Sequence, residues 1–118
     1  MKIIQSLNRF YVNDIDKAIK FYEKVLNEKC SSRFKYSEAN LELARIGNIL
    51  IISGSNEALK PFKNTQATFL VDSIIDYKDF LLNDGAEVIV DIKDVPTGMN
   101  MTVKHLDGTI VEYVEHKK

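Results

Sequence analysis

Gly108-Thr109-Ile110-Val111-Glu112-Tyr113, entered through the turn Leu106-Asp107-Gly108, reads as a closing β-strand with one acid in an apolar alternation. A similar pattern stands earlier in the chain, Gly47-Asn48-Ile49-Leu50-Ile51-Ile52. A second pair of stretches repeats in the same order. Phe69-Leu70-Val71 precedes one helical pattern as Phe10-Tyr11-Val12 precedes another, and at that offset of 59 residues Ile74 falls on Ile15 and Phe80 on Phe21. Two matches in the same order, in corresponding halves, predict a duplicated βαβββ unit.

Working outward, residues 3–12 alternate as a strand, with Leu7, Arg9 and Tyr11 on one face and Asn8, Phe10 and Val12 on the other. Asn13 reads as an N-cap, and Ile15, Ala18, Ile19, Tyr22, Val25 and Leu26 follow at helical spacing up to Asn27. Three extended stretches come next, at about 29–36, 40–46 and 48–53, the last two joined by the hairpin signal Gly47-Asn48. Residues 54–65 lose periodicity and contain Pro61, so they read as a linker. The second half offers a strand at 69–71, a helix over 73–83 closed by Gly85, and strands at 87–92, 100–105 and 109–114.

A chain of 118 residues with 45% apolar and 28% charged residues fits one ordinary domain with its own core. No apolar run approaches the roughly 20 residues that span a bilayer, and the first residues show no export or transit pattern, so the expected compartment is the cytoplasm. Cys30 is the single cysteine, which excludes an intramolecular disulfide and an all-cysteine metal site. The net charge is −1 with acids and bases interleaved, which points away from nucleic acid and toward a small molecule or another protein.

At two motifs the chain resembles the vicinal oxygen chelate superfamily, which includes glyoxalase I, bleomycin-resistance proteins and extradiol dioxygenases. One is Val12-Asn13-Asp14-Ile15-Asp16-Lys17-Ala18-Ile19-Lys20-Phe21-Tyr22-Glu23-Lys24-Val25-Leu26, similar to the family's first helix. The other is His105-Leu106-Asp107-Gly108-Thr109-Ile110-Val111-Glu112, similar to its closing turn and acid-bearing strand. The resemblance implies an α+β fold: two tandem βαβββ modules, residues 1–53 and 66–118, forming a curved mixed sheet around a cleft with the helices outside. It further implies that the four positions holding a divalent ion in metal-dependent members are Leu7, Ile51, Gln66 and Glu112 here. Leu7 and Ile51 bring no donor atom, whereas catalytic zinc typically keeps three protein ligands, so no metal and no other cofactor is expected. His105 lies in a turn and His116 in a tail expected to be mobile, so neither completes the set.

Glu112 shares its strand face with Ile110 and Val114, which favours a cleft position where a partly desolvated carboxyl suits proton transfer; the alternative is a solvent-facing strand acid. Gln66 either orients a ligand, bonds Glu112 or merely starts its strand. Arg9 either binds a carboxylate or phosphate in fork geometry or forms a structural salt bridge, with Tyr11 beside it. Met99 and Met101 read as core. The expected ligand-binding set is Leu7, Arg9, Tyr11, Ile51, Gln66 and Glu112, with Glu112 as candidate general base. The implied function is a metal-free small-molecule binder of the glyoxalase/bleomycin-resistance type, possessing a drug- or metabolite-sequestering cleft and forming a homodimer. The alternative is a lyase, isomerase or dioxygenase-like enzyme using Glu112 as base or ligand.

Overall fold

The structure is a computed structural model in which residues 1–117 are described. Strands are β1 (Ile3–Val12), β2 (Ser32–Tyr36), β3 (Leu41–Ile46), β4 (Ile49–Ser53), β5 (Ala67–Val71), β6 (Glu87–Val95), β7 (Gly98–Lys104) and β8 (Ile110–His116). Helices are α1 (Ile15–Leu26), α2 (Asn56–Leu59) and α3 (Ile74–Asn83). The order is therefore βαβββ twice over, an α+β architecture. The chain forms two compact units, Asn8–Asn64, and Met1–Leu7 together with the residues from Thr65 on, so β1 contributes to both.

In the Asn8–Asn64 unit, β2 and β3 and then β3 and β4 pair antiparallel, and β4 pairs parallel with β1. Helix α1 covers one face. Ile15 and Ala18 meet Ala44, Ile46, Ile49 and Ile51, with Phe10, Val12, Ile19, Tyr22 and Leu26 packed around them. The N-cap is Asp14 rather than the expected Asn13: the Asp14 carboxylate accepts from Lys17 N at 3.1 Å. Asn13 is diverted because its side-chain amide donates to Gly54 O at 2.9 Å and to Asn56 Oδ1 at 3.0 Å. Asn27 ends the helix in the left-handed region at φ 53°.

Between the βαβββ segments the chain is more ordered than its composition suggests. Ser55 Oγ accepts from Ala58 N at 3.1 Å and starts α2, and Leu59 anchors it, only 1% exposed. An apolar anchor and a cap suffice for one helical turn in a stretch too short to show periodicity.

In the other unit β5 pairs parallel with β8, and β8, β7 and β6 follow antiparallel. Helix α3 packs Ile74, Tyr77 and Leu81 on Val71, Met101, Val103, Val111 and Tyr113. Ser73 Oγ accepts from Asp76 N at 3.3 Å as N-cap, and the carboxylate of Glu115, on β8, accepts from Ile74 N at 2.9 Å. Strand β6 runs to Val95, beyond the expected 92, because two register shifts let it continue along β7. His116 is not in a loose tail: it pairs with Gly98 in the β7–β8 ladder.

One expectation about phase changes. The register sets Phe10 against Ile51 and Phe69 against Tyr113, and all four lie on the helix-covered faces. Because Thr68 pairs with Glu112 and Arg9 with Leu50, Leu50 is the counterpart of Glu112 and Ile51 is not. The reason is turn length. Ile46 and Ile49 bracket two residues, whereas Lys104 and Ile110 bracket five, so aligning the two turns on their glycines slips the strand by one residue. A one-residue slip carries every side chain to the opposite face.

Candidate functional site

Val111 and Tyr113 are committed to the core beneath α3, so alternation delivers Ile110, Glu112 and Val114 to the opposite face of β8. Cross-strand register puts Thr68 of β5 on one side of Glu112 and Thr102 of β7 on the other. The Thr68 hydroxyl donates to Glu112 Oε1 at 3.3 Å. Thr68 is 2% exposed and Glu112 half-buried, so the carboxylate sits in a partly dry row of two hydroxyl side chains. Apolar neighbours above and below complete the kind of lining that small-molecule sites use, an apolar wall with a few placed polar groups.

Gln66 starts the ladder, one of the three roles its sequence position allows. Its backbone N–H donates to Ile110 O at 2.8 Å and its side-chain Oε1 accepts from Ile110 N at 3.3 Å. Thr68, two residues on, makes the bond to Glu112. Its signal was the repeat itself, since Thr68 stands at the 59-residue offset from Arg9. Leu7 is buried at 3% exposure.

In the Asn8–Asn64 unit, Arg9 and Tyr11 act together. Arg9 Nε donates to Tyr11 Oη at 2.8 Å, the guanidinium carbon lies 5.5 Å from the Tyr11 ring centroid, and Tyr11 Oη donates to Phe62 O. The Tyr11 hydroxyl thus fixes the plane of the guanidinium. Ile51 belongs to neither face group as a ligand contact: at 0% exposure it is sealed beneath α1, and Leu50 occupies the position beside Arg9. A polar cavity of about 360 Å³ near the ends of β3 and β4 is lined by Lys35, Ser37, Asn40, Glu42 and Ser53 among others, and by none of the six expected residues.

Among the described residues, no three His, Cys, Asp or Glu side chains gather as a metal ion would require. Gln66 and Glu112 are the donors at the four family positions, and the Gln66 carbonyl oxygen already accepts from Ile110. That donor set does not fit a divalent cation. His105 is engaged elsewhere, its Nε2 lying 2.8 Å from Tyr113 Oη beside Phe69.

Tyr113 is 3% exposed, and burial, with a smaller contribution from the charge of Tyr77, pushes its phenol up from 10.0 to about 12. A raised phenol leaves stability intact below the unfolded value and removes it as pH rises toward the folded one. Unfolding free energy should therefore fall between about pH 10 and about pH 12, by on the order of 2 kcal/mol from this group. Urea titrations across that window should show a shallower decline for Tyr113→Phe; identical slopes would assign the decline to other groups.

The sequence profile of the Glyoxalase/Bleomycin resistance protein/Dioxygenase superfamily matches residues 4–113. An uncharacterized protein from Methanosarcina mazei is 52% identical, with a TM-score of 0.89 over 100% of this chain and 96% of that one. Methylmalonyl-CoA epimerase from Mycobacterium tuberculosis is 15% identical, with a TM-score of 0.79 over 98% of this chain and 90% of that one. A Streptomyces coelicolor methylmalonyl-CoA epimerase variant in complex with 2-nitronate-propionyl-CoA is 14% identical, at 0.76 over 99% and 100%. At those identities the epimerase likenesses are likenesses of fold. No curated protein matches the chain. With the profile spanning nearly all of it and the βαβββ order present twice, the chain belongs to the Glyoxalase/Bleomycin resistance protein/Dioxygenase superfamily.

Proposed function

We propose that this chain is a small-molecule-binding protein of the glyoxalase/bleomycin-resistance type, working without a bound metal and sequestering a drug or metabolite. The observation that carries the reading is the Thr68–Glu112–Thr102 row: a half-buried carboxylate between hydroxyl side chains, bordered by Ile110 and Val114, where a ligand's N–H or O–H group can be held. Apolar Leu7 and Leu50 at the corresponding places of the first module suit binding better than ion coordination. A thermal-shift panel of cationic and aromatic compounds tests it. A ligand at about a hundred times its Kd stabilises by about 2.7 kcal/mol, a shift of several degrees, and Glu112→Gln should weaken such ligands at least about tenfold. No stabilisation by any compound would sink the reading. The same proposal takes the chain as one cytoplasmic domain that pairs as a homodimer; exposed Phe21 and Val25 on α1 supply apolar surface for pairing.

A second reading, an isomerase using Glu112 as general base, is supported by the fold shared with methylmalonyl-CoA epimerases. General-base removal costs about 10²–10⁴-fold in rate. In that case Glu112→Gln should abolish exchange of an acidic substrate C–H with solvent deuterium while ligand affinity persists. Equal loss of both would leave binding alone.

A further inference from the structure

The face of the β1–β4–β3–β2 sheet turned away from α1 carries a one-sided charge. Phe10, Ile51 and Ala44 point toward α1, so their strand neighbours Arg9, Leu50 and Arg45 emerge on the other side. Register sets these three in one row, Arg9 beside Leu50 and Leu50 beside Arg45. Strands lie about 4.8 Å apart, so the two arginines start roughly 10 Å apart, a distance their long side chains can close over Leu50. The next row brings Tyr11 and Ile52, ending at Phe34 on the edge strand. Among the described residues, no strand of this unit places an Asp or Glu on that face. Glu42 lies in the row on the α1 side, where Arg33 holds it at 2.6 Å.

Both arginines are half-buried, where a charge is costly unless counter-charged and hydrogen-bonded. Each already interacts within the folded chain, so an incoming anion joins or exchanges partners rather than meeting bare charge. A guanidinium has five N–H donors in a planar fork that matches carboxylate and phosphate oxygens, and Tyr11 sets the plane of one of the two forks.

We propose that Arg9 and Arg45 bind the anionic group of a small organic ligand, a carboxylate or a phosphate, across Leu50, while Tyr11, Ile52 and Phe34 take up its apolar body. This rests on the small-molecule-binding reading above and names the charge of a ligand that the Asn8–Asn64 unit would hold. Calorimetric titration of the intact protein with phenylacetate, phenyl phosphate and neutral phenylacetamide tests it, with Arg45→Gln and Arg45→Lys as variants. At least one anion should bind about tenfold or more tightly than phenylacetamide, with the better anion separating carboxylate from phosphate. Arg45→Gln should erase that preference, and Arg45→Lys, which keeps the charge but not the fork, should weaken it less. Should Arg45→Gln fail to fold, Arg45→Lys and the salt dependence of the wild-type preference carry the test. Equal binding of phenylacetamide, or an undiminished preference in the folded variants, would overturn the proposal. If cationic or neutral aromatics bind and both anions do not, this inference falls while the small-molecule reading stands. If nothing in either panel binds, both fall.

Discussion

Gly98→Ala should lower the unfolding free energy by at least about 3 kcal/mol. Gly98 opens β7 at φ +149°, and a Cβ built there overlaps the carbonyl oxygen of Glu115 and comes within 2.9 Å of His116 Cα. Both obstacles are backbone, so no side chain can swing aside. The strand would have to separate from the end of β8, where Gly98 pairs with His116 and Lys117 N donates to Thr97 O at 2.9 Å. Backbone strain and lost ladder bonds together should cost at least about 3 kcal/mol, a large part of a small domain's stability. Gly108→Ala is the control. Gly108 also has a positive φ, +91°, but nothing lies within 4 Å of its added Cβ, so only conformational strain of about 1 kcal/mol is expected. Urea unfolding followed by circular dichroism reads both. A Gly98→Ala protein within about 1 kcal/mol of wild type would show that the β7–β8 end yields easily.

Ile51→Ala should cost about 2–5 kcal/mol, because the side chain is wholly enclosed beneath α1 and its removal leaves a cavity. Its effect on ligand affinity, measured on the folded fraction, should be small. Leu50→Ala, at a side chain 6% exposed, should also cost stability, but unlike Ile51→Ala it should alter affinity for any ligand that lies between Arg9 and Arg45. Reversed outcomes, with Ile51 governing affinity and Leu50 only stability, would restore the glycine-to-glycine alignment of the two halves and overturn the register-based one.

Those two residues show where sequence reading reaches and where it stops. The order βαβββ, the duplication, and the placing of Phe10 and Val12 on the strand face opposite Arg9 were legible because periodicity is a local property. The choice between Leu50 and Ile51 was not, since it depends on how many residues each turn spends, five before β8 against two before β4. The partners of Glu112 were hidden for the same reason: Thr68 lies 44 residues away, and only register brings it alongside. In the sequence Arg45 is one of many interleaved charges, and only register sets it in a row with Leu50 and Arg9. The cap falls on Asp14 rather than Asn13 because the bonds that divert Asn13 go to Gly54 and Asn56, some 40 residues on and invisible to local pattern.

The bond from Ile74 N to the Glu115 carboxylate spans 41 residues, and it reaches backward along the chain. A helix normally secures its first turn with neighbours that precede it or lie within it; α3 leaves one of its leading amides to a residue 41 positions later. During synthesis α3 can therefore coil on Ser73 alone, but its opening turn is completed only when the end of β8 docks. Hydrogen exchange at the Ile74 amide would then time the docking of β8 against α3, and Glu115→Ala would expose that amide while keeping the rest of the helix.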